Sequence, residues 1–197
     1  MKMFYDFGKD KYDPCAFIYV YSPICKEFAT FRQEETCIVN AEGKSTFGYE
    51  YISILEKKTH KGNVTVETEC SFEKFGAPII VFTDDLRPDA NGRLIYGKHF
   101  EIVAYEDGIN IWHIVPCPEK VDYPVDPTLL ATKKFSIAGN SPIQMKVAIA
   151  DGRIKTWVNG EYLEVSVEDL PKDTFWVGIT ACEGVNRFRW MTVEENA

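Results

Sequence analysis

Hydrophobic and polar residues alternate with a period of two along most of this chain, a pattern typical of β-strands with one buried face. The clearest run is NVTVETECSF at 63–72, and others occur at 15–21, 47–55 and 175–181. No segment predicts a helix longer than about two turns. About eleven short strands separated by turn signals predict an all-β fold, namely a two-sheet antiparallel β-sandwich of the jelly-roll type that forms a single domain over residues 1–197.

The stretch at 99–116, HFEIVAYEDGINIWHIVP, has an alternating run on each side of the Asp-Gly pair at 107–108. Asp-Gly is a strong signal for a two-residue type I′ turn, in which both residues take positive φ. A turn at this place predicts a hairpin in which Tyr105 lies opposite Asn110. We treat this hairpin as the central element of the fold.

Alternation gives the central hairpin two different faces. The first is apolar and is predicted to enter the core: Phe100, Ile102, Ala104, Ile111, His113 and Val115. The second combines polar and aromatic residues: His99, Glu101, Val103, Tyr105, Asn110, Trp112 and Ile114. Because a face that only meets water rarely carries so many aromatic residues, we predict that the second face binds a ligand.

A second hairpin is predicted around the Asp-Gly pair at 151–152, within IQMKVAIADGRIKTWVNG. A two-residue turn there places Ile149 opposite Ile154. Its alternate apolar residues predict a face that packs on the core.

Composition narrows the classes of partner. The chain has 197 residues, 45% of them hydrophobic and 14% aromatic, and a formal net charge of −8. This acidic balance argues against nucleic acid and anionic membranes, since both require clustered Lys and Arg. The chain has no apolar run long enough to span a bilayer and no apolar leader, so we expect a cytoplasmic protein. Its six cysteines form no CxxC pair and are expected to be reduced.

The order of strands in the second half resembles the concanavalin A-like lectin/glucanase jelly-roll superfamily. The similar segments are HFEIVAYEDGINIW, KTWVNGEYL and FWVGITA, within residues 63–193, and they are also similar to laminin G-like and 3-keto-disaccharide hydrolase-like domains. The resemblance implies a ligand on the concave sheet, which corresponds here to Glu101, Tyr105, Asn110 and Trp112. The E-x-D-x-x-E motif of laminarinase-type members is absent, and so are the signature strings of alginate-lyase-type members.

The leading hypothesis is lectin-like carbohydrate binding. Sugars have C–H faces that stack on aromatic rings, and hydroxyl groups that hydrogen-bond to carboxylates and amides. Trp112 and Tyr105 are predicted to stack on the ligand, while Glu101, Asn110 and His99 take its hydroxyls. The predicted partner is a saccharide or a sugar-like small molecule, and the oligomeric state is left open.

Two alternatives follow from the same residues. One is glycoside hydrolysis with Glu101 as the catalytic acid or nucleophile, which needs a second carboxyl group about 5 to 9.5 Å away. Glu67 and Glu69 would supply it if their face lines the same cleft, and an ordinary solvated strand face is the competing interpretation. The other alternative is a non-catalytic sandwich whose aromatic face binds another protein.

The remaining polar candidates carry less information. His60 lies in a lysine-rich turn and is expected to be exposed, and His113 is expected to be a hydrogen-bonded core histidine. The resembled superfamily often holds a structural calcium ion, for which Asp84, Asp85, Asp89 and Asn91 offer oxygen ligands. Their spacing matches no recognised calcium motif, so an ordinary polar loop is expected, and no other metal or cofactor is predicted.

Overall fold

The structure is a computed structural model that describes residues 1–22, 29–40, 51–121 and 123–196. These residues contain eighteen strands and one short 3-10 helix, Pro14–Ala16. In chain order the strands are β1 (Lys2–Asp6), β2 (Phe17–Val20), β3 (Arg32–Gln33), β4 (Ile38–Val39), β5 (Tyr51–Glu56), β6 (His60–Lys61), β7 (Asn63–Glu73), β8 (Ala77–Thr83) and β9 (Leu86–Pro88). They continue as β10 (Leu94–Tyr96), β11 (His99–Tyr105), β12 (Gly108–Pro116), β13 (Val125–Lys134), β14 (Ile143–Ala150), β15 (Arg153–Val158), β16 (Glu161–Ser166), β17 (Thr174–Cys182) and β18 (Val185–Asn196).

Two large antiparallel sheets form a sandwich, which confirms the predicted fold class. The front sheet has the order β13-β12-β11-β8-β17-β5-β2, with β6 paired to β17. The back sheet has the order β16-β15-β14-β7-β18-β4-β3, with β1 paired to β18. A separate hairpin of β9 and β10, here called the flap, belongs to neither sheet.

The main core lies between the two sheets. Phe100, Ile102 and Ala104 enter it from the front sheet, and Val66 and Cys70 enter it from the back sheet. All five are fully buried. Burying an aliphatic or aromatic side chain of this size stabilises the fold by roughly 1.5–3 kcal/mol, so the alternation along these strands is what holds the sheets together.

The central hairpin keeps its predicted faces but not its predicted partners. Tyr105 lies opposite Gly108, and Val103 lies opposite Asn110. The predicted pairing of Tyr105 with Asn110 is therefore wrong by two residues, and the loop residues are Glu106 and Asp107. Since side chains alternate with a period of two, a shift of two residues leaves every side chain on its predicted face.

Gly108 explains this shift. It has a φ of 137° and begins β12 instead of closing the turn. A Cβ atom at Gly108 would lie 2.0 Å from the carbonyl oxygen of Lys133, so this position requires glycine for the close approach of β13. The second hairpin follows its prediction: Asp151 and Gly152 have φ values of 52° and 73°, and Ile149 pairs with Ile154.

Cys15, Cys37, Cys70 and Cys117 are free thiols in the structure. Burial raises the pKa of the Cys70 thiol, which therefore behaves as a small apolar core residue. Cys25 lies outside the described residues. Within the described residues, no helix has the length and apolar character needed to cross a membrane.

His60 is fully buried, so the expectation that it is exposed is wrong. Its Nε2 lies 2.9 Å from Glu56 Oε2, and its Nδ1 lies 3.0 Å from Glu195 Oε1. Both ring nitrogens therefore face a carboxylate oxygen within hydrogen-bond distance. The lysines around His60 suggested a solvated turn, but β6 pairs with β17, and His60 contacts Glu195 on β18.

We expect His60→Ala to lower the free energy of unfolding by about 3 kcal/mol, measured by urea denaturation. The substitution leaves Glu56, which is 2% exposed, without its imidazole partner. Lys58→Ala is the matched control, because Lys58 Nζ lies 3.1 Å from the same Glu195 carboxylate in a more exposed pair. The control should cost less than about 1 kcal/mol. Equal losses for the two variants would contradict a stabilising contact between His60 and Glu56.

Candidate functional site

The outward face of the front sheet carries a cavity of about 370 Å³, here called the cleft. Its floor comes from alternate residues of β11 and β12: Glu101, Val103, Tyr105, Asn110, Trp112 and Ile114. Its rim includes Phe75, Glu106, Tyr123 and Glu183. A smaller compartment of about 220 Å³ lies beside it, lined by Tyr51 and His99, and shares Glu101 and Glu183 with the cleft. The volume of the cleft, about 370 Å³, falls near the lower end of the range for small-molecule sites, roughly 300–1,000 Å³.

Five predicted site residues therefore come together. Glu101 lies directly opposite Trp112 in the ladder of β11 and β12. Tyr105 and Asn110 line the cleft farther along the same strands, and His99 lines the smaller compartment. Facing residues on neighbouring strands have Cβ atoms about 4.5–5.5 Å apart, so one small ligand can contact Glu101 and Trp112 together.

Glu101 is the charged centre of the cleft and is only 7% exposed. The hydroxyl of Tyr51 donates to Glu101 Oε1 at 2.5 Å. Burial and the neighbouring Glu101 carboxylate raise the pKa of Tyr51 well above its usual value. Tyr51 therefore keeps its proton and acts as a fixed donor toward this carboxyl group.

His99 is the second neighbour of Glu101. Its Nδ1 lies 2.9 Å from the carbonyl oxygen of Gly97, which can only accept, so Nδ1 carries a proton. Its Nε2 lies 3.4 Å from Glu101 Oε1. This contact is favourable when either His99 Nε2 or Glu101 Oε1 carries a proton. The His99 imidazole also stacks on the Tyr96 ring, with centroids 4.5 Å apart, and this stacking fixes the orientation of the imidazole.

The aromatic residues of the cleft are held by the sheet. The Tyr105 hydroxyl accepts a hydrogen bond from Lys134 Nζ at 2.5 Å, and that ammonium lies 4.9 Å from the centroid of the Tyr105 ring. The hydrogen bond raises the pKa of Lys134. Trp112 and Asn110 are each partly exposed in the cleft. The site thus offers a fixed phenol ring, an accessible indole and a side-chain amide beside a buried carboxylate.

Glu67 and Glu69 do not line this cleft, so that part of the prediction is wrong. Both lie on β7 of the back sheet, whose apolar alternate residues enter the core from the opposite side. Glu67 Oε1 pairs with Lys146 Nζ at 2.9 Å, and Glu69 Oε2 accepts from Gln144 Nε2 at 2.6 Å. They form part of a solvated outer surface, because β7 is a spatial neighbour of β14 and β18 and not of β11.

His113 lies on the core face of β12, where its ring stacks on Phe100 with centroids 4.4 Å apart. Burial lowers the pKa of His113. Its Nε2 is buried without a hydrogen-bond partner among the described residues, so the expected hydrogen bond does not form at that atom. Its position under the sheet separates it from the cleft.

Sequence reasoning missed several cleft residues. Tyr51 belongs to β5, which lies three strands away from β11 in the front sheet, and no local pattern places those strands together. Glu183 could have been found, because Glu183-Gly184 is a tight-turn signal between two strand-like runs. Phe75 and Tyr123 lie in loops, where periodicity gives no information about direction.

The flap covers the other half of the outward face. Leu86, Leu94 and Tyr96 pack with Leu55 and Val81 in a second apolar cluster on the front sheet. The Tyr96 hydroxyl lies 2.5 Å from Ser53 Oγ, and Ser53 Oγ lies 2.6 Å from Thr180 Oγ1. This buried network fastens the flap to the sheet.

The acidic residues that the sequence offers as calcium ligands form hydrogen bonds and ion pairs in and next to the flap. Arg87 donates to Asp85 at 2.8 and 2.6 Å, and Arg93 donates to Asp89 at 2.6 Å. The backbone N–H of Asn91 also donates to Asp89 at 2.8 Å, and Asp84 lies 3.9 Å from Lys98 Nζ. Within the described ranges, no group of three or more His, Cys, Asp or Glu side chains could hold a metal ion.

Comparison of this chain with known proteins finds similar structures but no matching family model or curated sequence. No protein-family model matches the sequence, and no curated protein does either. The carbohydrate-binding module CBM66 from Bacillus subtilis matches with a TM-score of 0.58 at 12% identity, over 86% of this chain and 96% of that one. The Bacillus licheniformis beta-glucanase matches with a TM-score of 0.63 at 8% identity, over 99% of this chain and 98% of that one.

A lectin domain gives a similar result. The carbohydrate recognition domain of Emp47p matches with a TM-score of 0.56 at 13% identity, over 98% of this chain and 94% of that one. At sequence identities this low, the similarity shows a shared fold and nothing more. The chain therefore has the concanavalin A-like jelly-roll fold that the order of its strands predicted.

Proposed function

We propose that this protein binds a saccharide in the cleft, in the manner of a lectin. The observation that carries the proposal is the cross-strand pairing of Glu101, which is buried, with Trp112, which is partly exposed. A carboxylate with fixed neighbours beside an accessible aromatic ring matches the two kinds of surface that a sugar presents.

The surroundings of this pair support the proposal. Tyr51 and His99 hold Glu101 in one orientation, so little conformational entropy is lost when the carboxylate accepts a ligand hydroxyl. Asn110 adds a hydrogen-bond donor and an acceptor, and Tyr105 adds a second aromatic ring at the floor of the cleft. The fold is also the fold of a carbohydrate-binding module and a carbohydrate recognition domain. We further propose a cytoplasmic location, as expected from the sequence.

Glycoside hydrolysis is the second candidate, and one observation favours it. Glu183 lines both compartments together with Glu101, so two carboxyl groups face the same space. Hydrolysis of a glycosidic bond uses such a pair, one as acid and the other as base or nucleophile. In this alternative Glu101 protonates the leaving oxygen, and Glu183 replaces Glu67 and Glu69 as the second carboxylate.

We expect Trp112→Ala to weaken saccharide binding about 10-fold, because the sugar loses its stacking surface. Affinities measured by calorimetry for a ligand found on a glycan array test this expectation. Trp157→Ala is the matched control, since Trp157 is a partly exposed tryptophan on the back sheet. Unchanged affinity in a folded Trp112→Ala variant would contradict the proposed site.

Glu101→Gln separates binding from hydrolysis. As a binder, the protein should leave the sugar intact, and the variant should bind it at least about 10-fold more weakly, since a charged acceptor contributes roughly 1.5–3 kcal/mol. As a hydrolase, the protein should release products, and the variant should keep binding while losing turnover. Chromatographic product analysis distinguishes these outcomes, and Glu67→Gln on the back sheet should change neither quantity.

A further inference from the structure

Two neighbouring hairpin tips at the rim of the cleft have unusual backbone conformations. Lys74 and Phe75, between β7 and β8, have φ values of 55° and 66°, and Glu183, between β17 and β18, has a φ of 56°. Elsewhere in the described residues, the other non-glycine positions with positive φ are Asp10, Asp151 and Asn159. Asp and Asn tolerate this region, whereas Lys, Phe and Glu rarely adopt it. The three costly conformations therefore occur together, at the cleft.

The tips support each other through close backbone contacts. A Cβ atom at Gly184 would lie 2.2 Å from the carbonyl oxygen of Lys74, and one at Gly76 would lie 2.7 Å from the carbonyl oxygen of Val185. Buried Asn186 donates through Nδ2 to the carbonyl oxygens of Cys182 and Glu183, at 3.2 and 2.8 Å. Strained residues persist only where the surrounding structure holds them in this way.

The side chains on the tips contribute little packing in return. Phe75 is 76% exposed although it is aromatic, and Glu183 is also exposed. Both line the cleft, as do Ala77 and Cys182, the strand residues next to the tips. An exposed ring held on a strained turn adds little to folding, but it extends the aromatic wall of the cleft beyond Trp112 and Tyr105.

We infer that the two tips form an outer subsite and that the ligand is an oligosaccharide of at least two units. This inference rests on the proposed saccharide-binding function. One unit lies over Trp112 with a hydroxyl on Glu101. The next unit stacks on Phe75 and gives a hydroxyl to Glu183.

The test compares matched mono-, di- and trisaccharides. The probes are the methyl glycosides of glucose, galactose, mannose, fructose and N-acetylglucosamine, together with the di- and trisaccharides of each sugar, and affinities are measured on the full chain. We expect the wild type to bind one disaccharide at least about 10-fold more tightly than its monosaccharide. Phe75→Ala should remove this difference and leave the monosaccharide affinity unchanged.

Phe4→Ala is the matched control, because Phe4 is a 61% exposed aromatic residue of β1, which joins the back sheet. It should leave both affinities unchanged. Equal affinity of the wild type for mono- and disaccharides, or a preference that survives Phe75→Ala, would overturn the outer subsite while leaving the saccharide-binding proposal intact. Failure of the wild type to bind any probe would reject the proposed function and the subsite with it.

Phe75→Gly adds a second readout, the melting temperature, to the measurement of disaccharide preference. Glycine adopts positive φ without strain, so we expect the melting temperature to rise by about 2–4 °C. The same variant should lose the disaccharide preference. A purely structural tip would show a lower melting temperature or an unchanged preference, and either result would overturn the inference.

Discussion

The front sheet is apolar on both faces where β8 and its neighbours lie, and this constraint shapes the rest of the molecule. Every residue of β8 is buried, although the back sheet covers only one of its faces. The flap covers the other face with Leu86, Leu94 and Tyr96. It covers the half near β5 and leaves the half near β12 open. The cleft is thus the uncovered part of a sheet that must otherwise be buried on both sides.

Glu101 lies at the boundary between these two halves. A carboxylate that is nearly buried is costly unless it is paired, and Tyr51 and His99 provide the partners from two different places in the chain. Tyr51 and Tyr96 also belong to the apolar cluster under the flap. The residues that close the flap therefore also orient the carboxylate, which couples the packing of the flap to the chemistry of the cleft.

Alternation was enough to predict the two-sheet fold and the faces of the central hairpin, because a shift of two residues does not change a face. It predicted about eleven strands, whereas the described residues contain eighteen. It could not predict which strands become neighbours. Glu67 and Glu69 were candidates for a second carboxylate only if their face lined the same cleft, and their strand belongs to the other sheet. The buried His60 was missed for the same reason, since its partner Glu195 is 135 residues away.

The arrangement around Glu101 also bears on the choice between binding and hydrolysis. Tyr51 keeps its proton and points it at Oε1, so the carboxyl group acts as an acceptor at that oxygen. A general acid must instead present a proton to the glycosidic oxygen, which here would have to lie on Oε2. Acceptor oxygens are what ligand hydroxyls require, without any change in protonation. The fixed donor from Tyr51 therefore favours recognition of the sugar over cleavage.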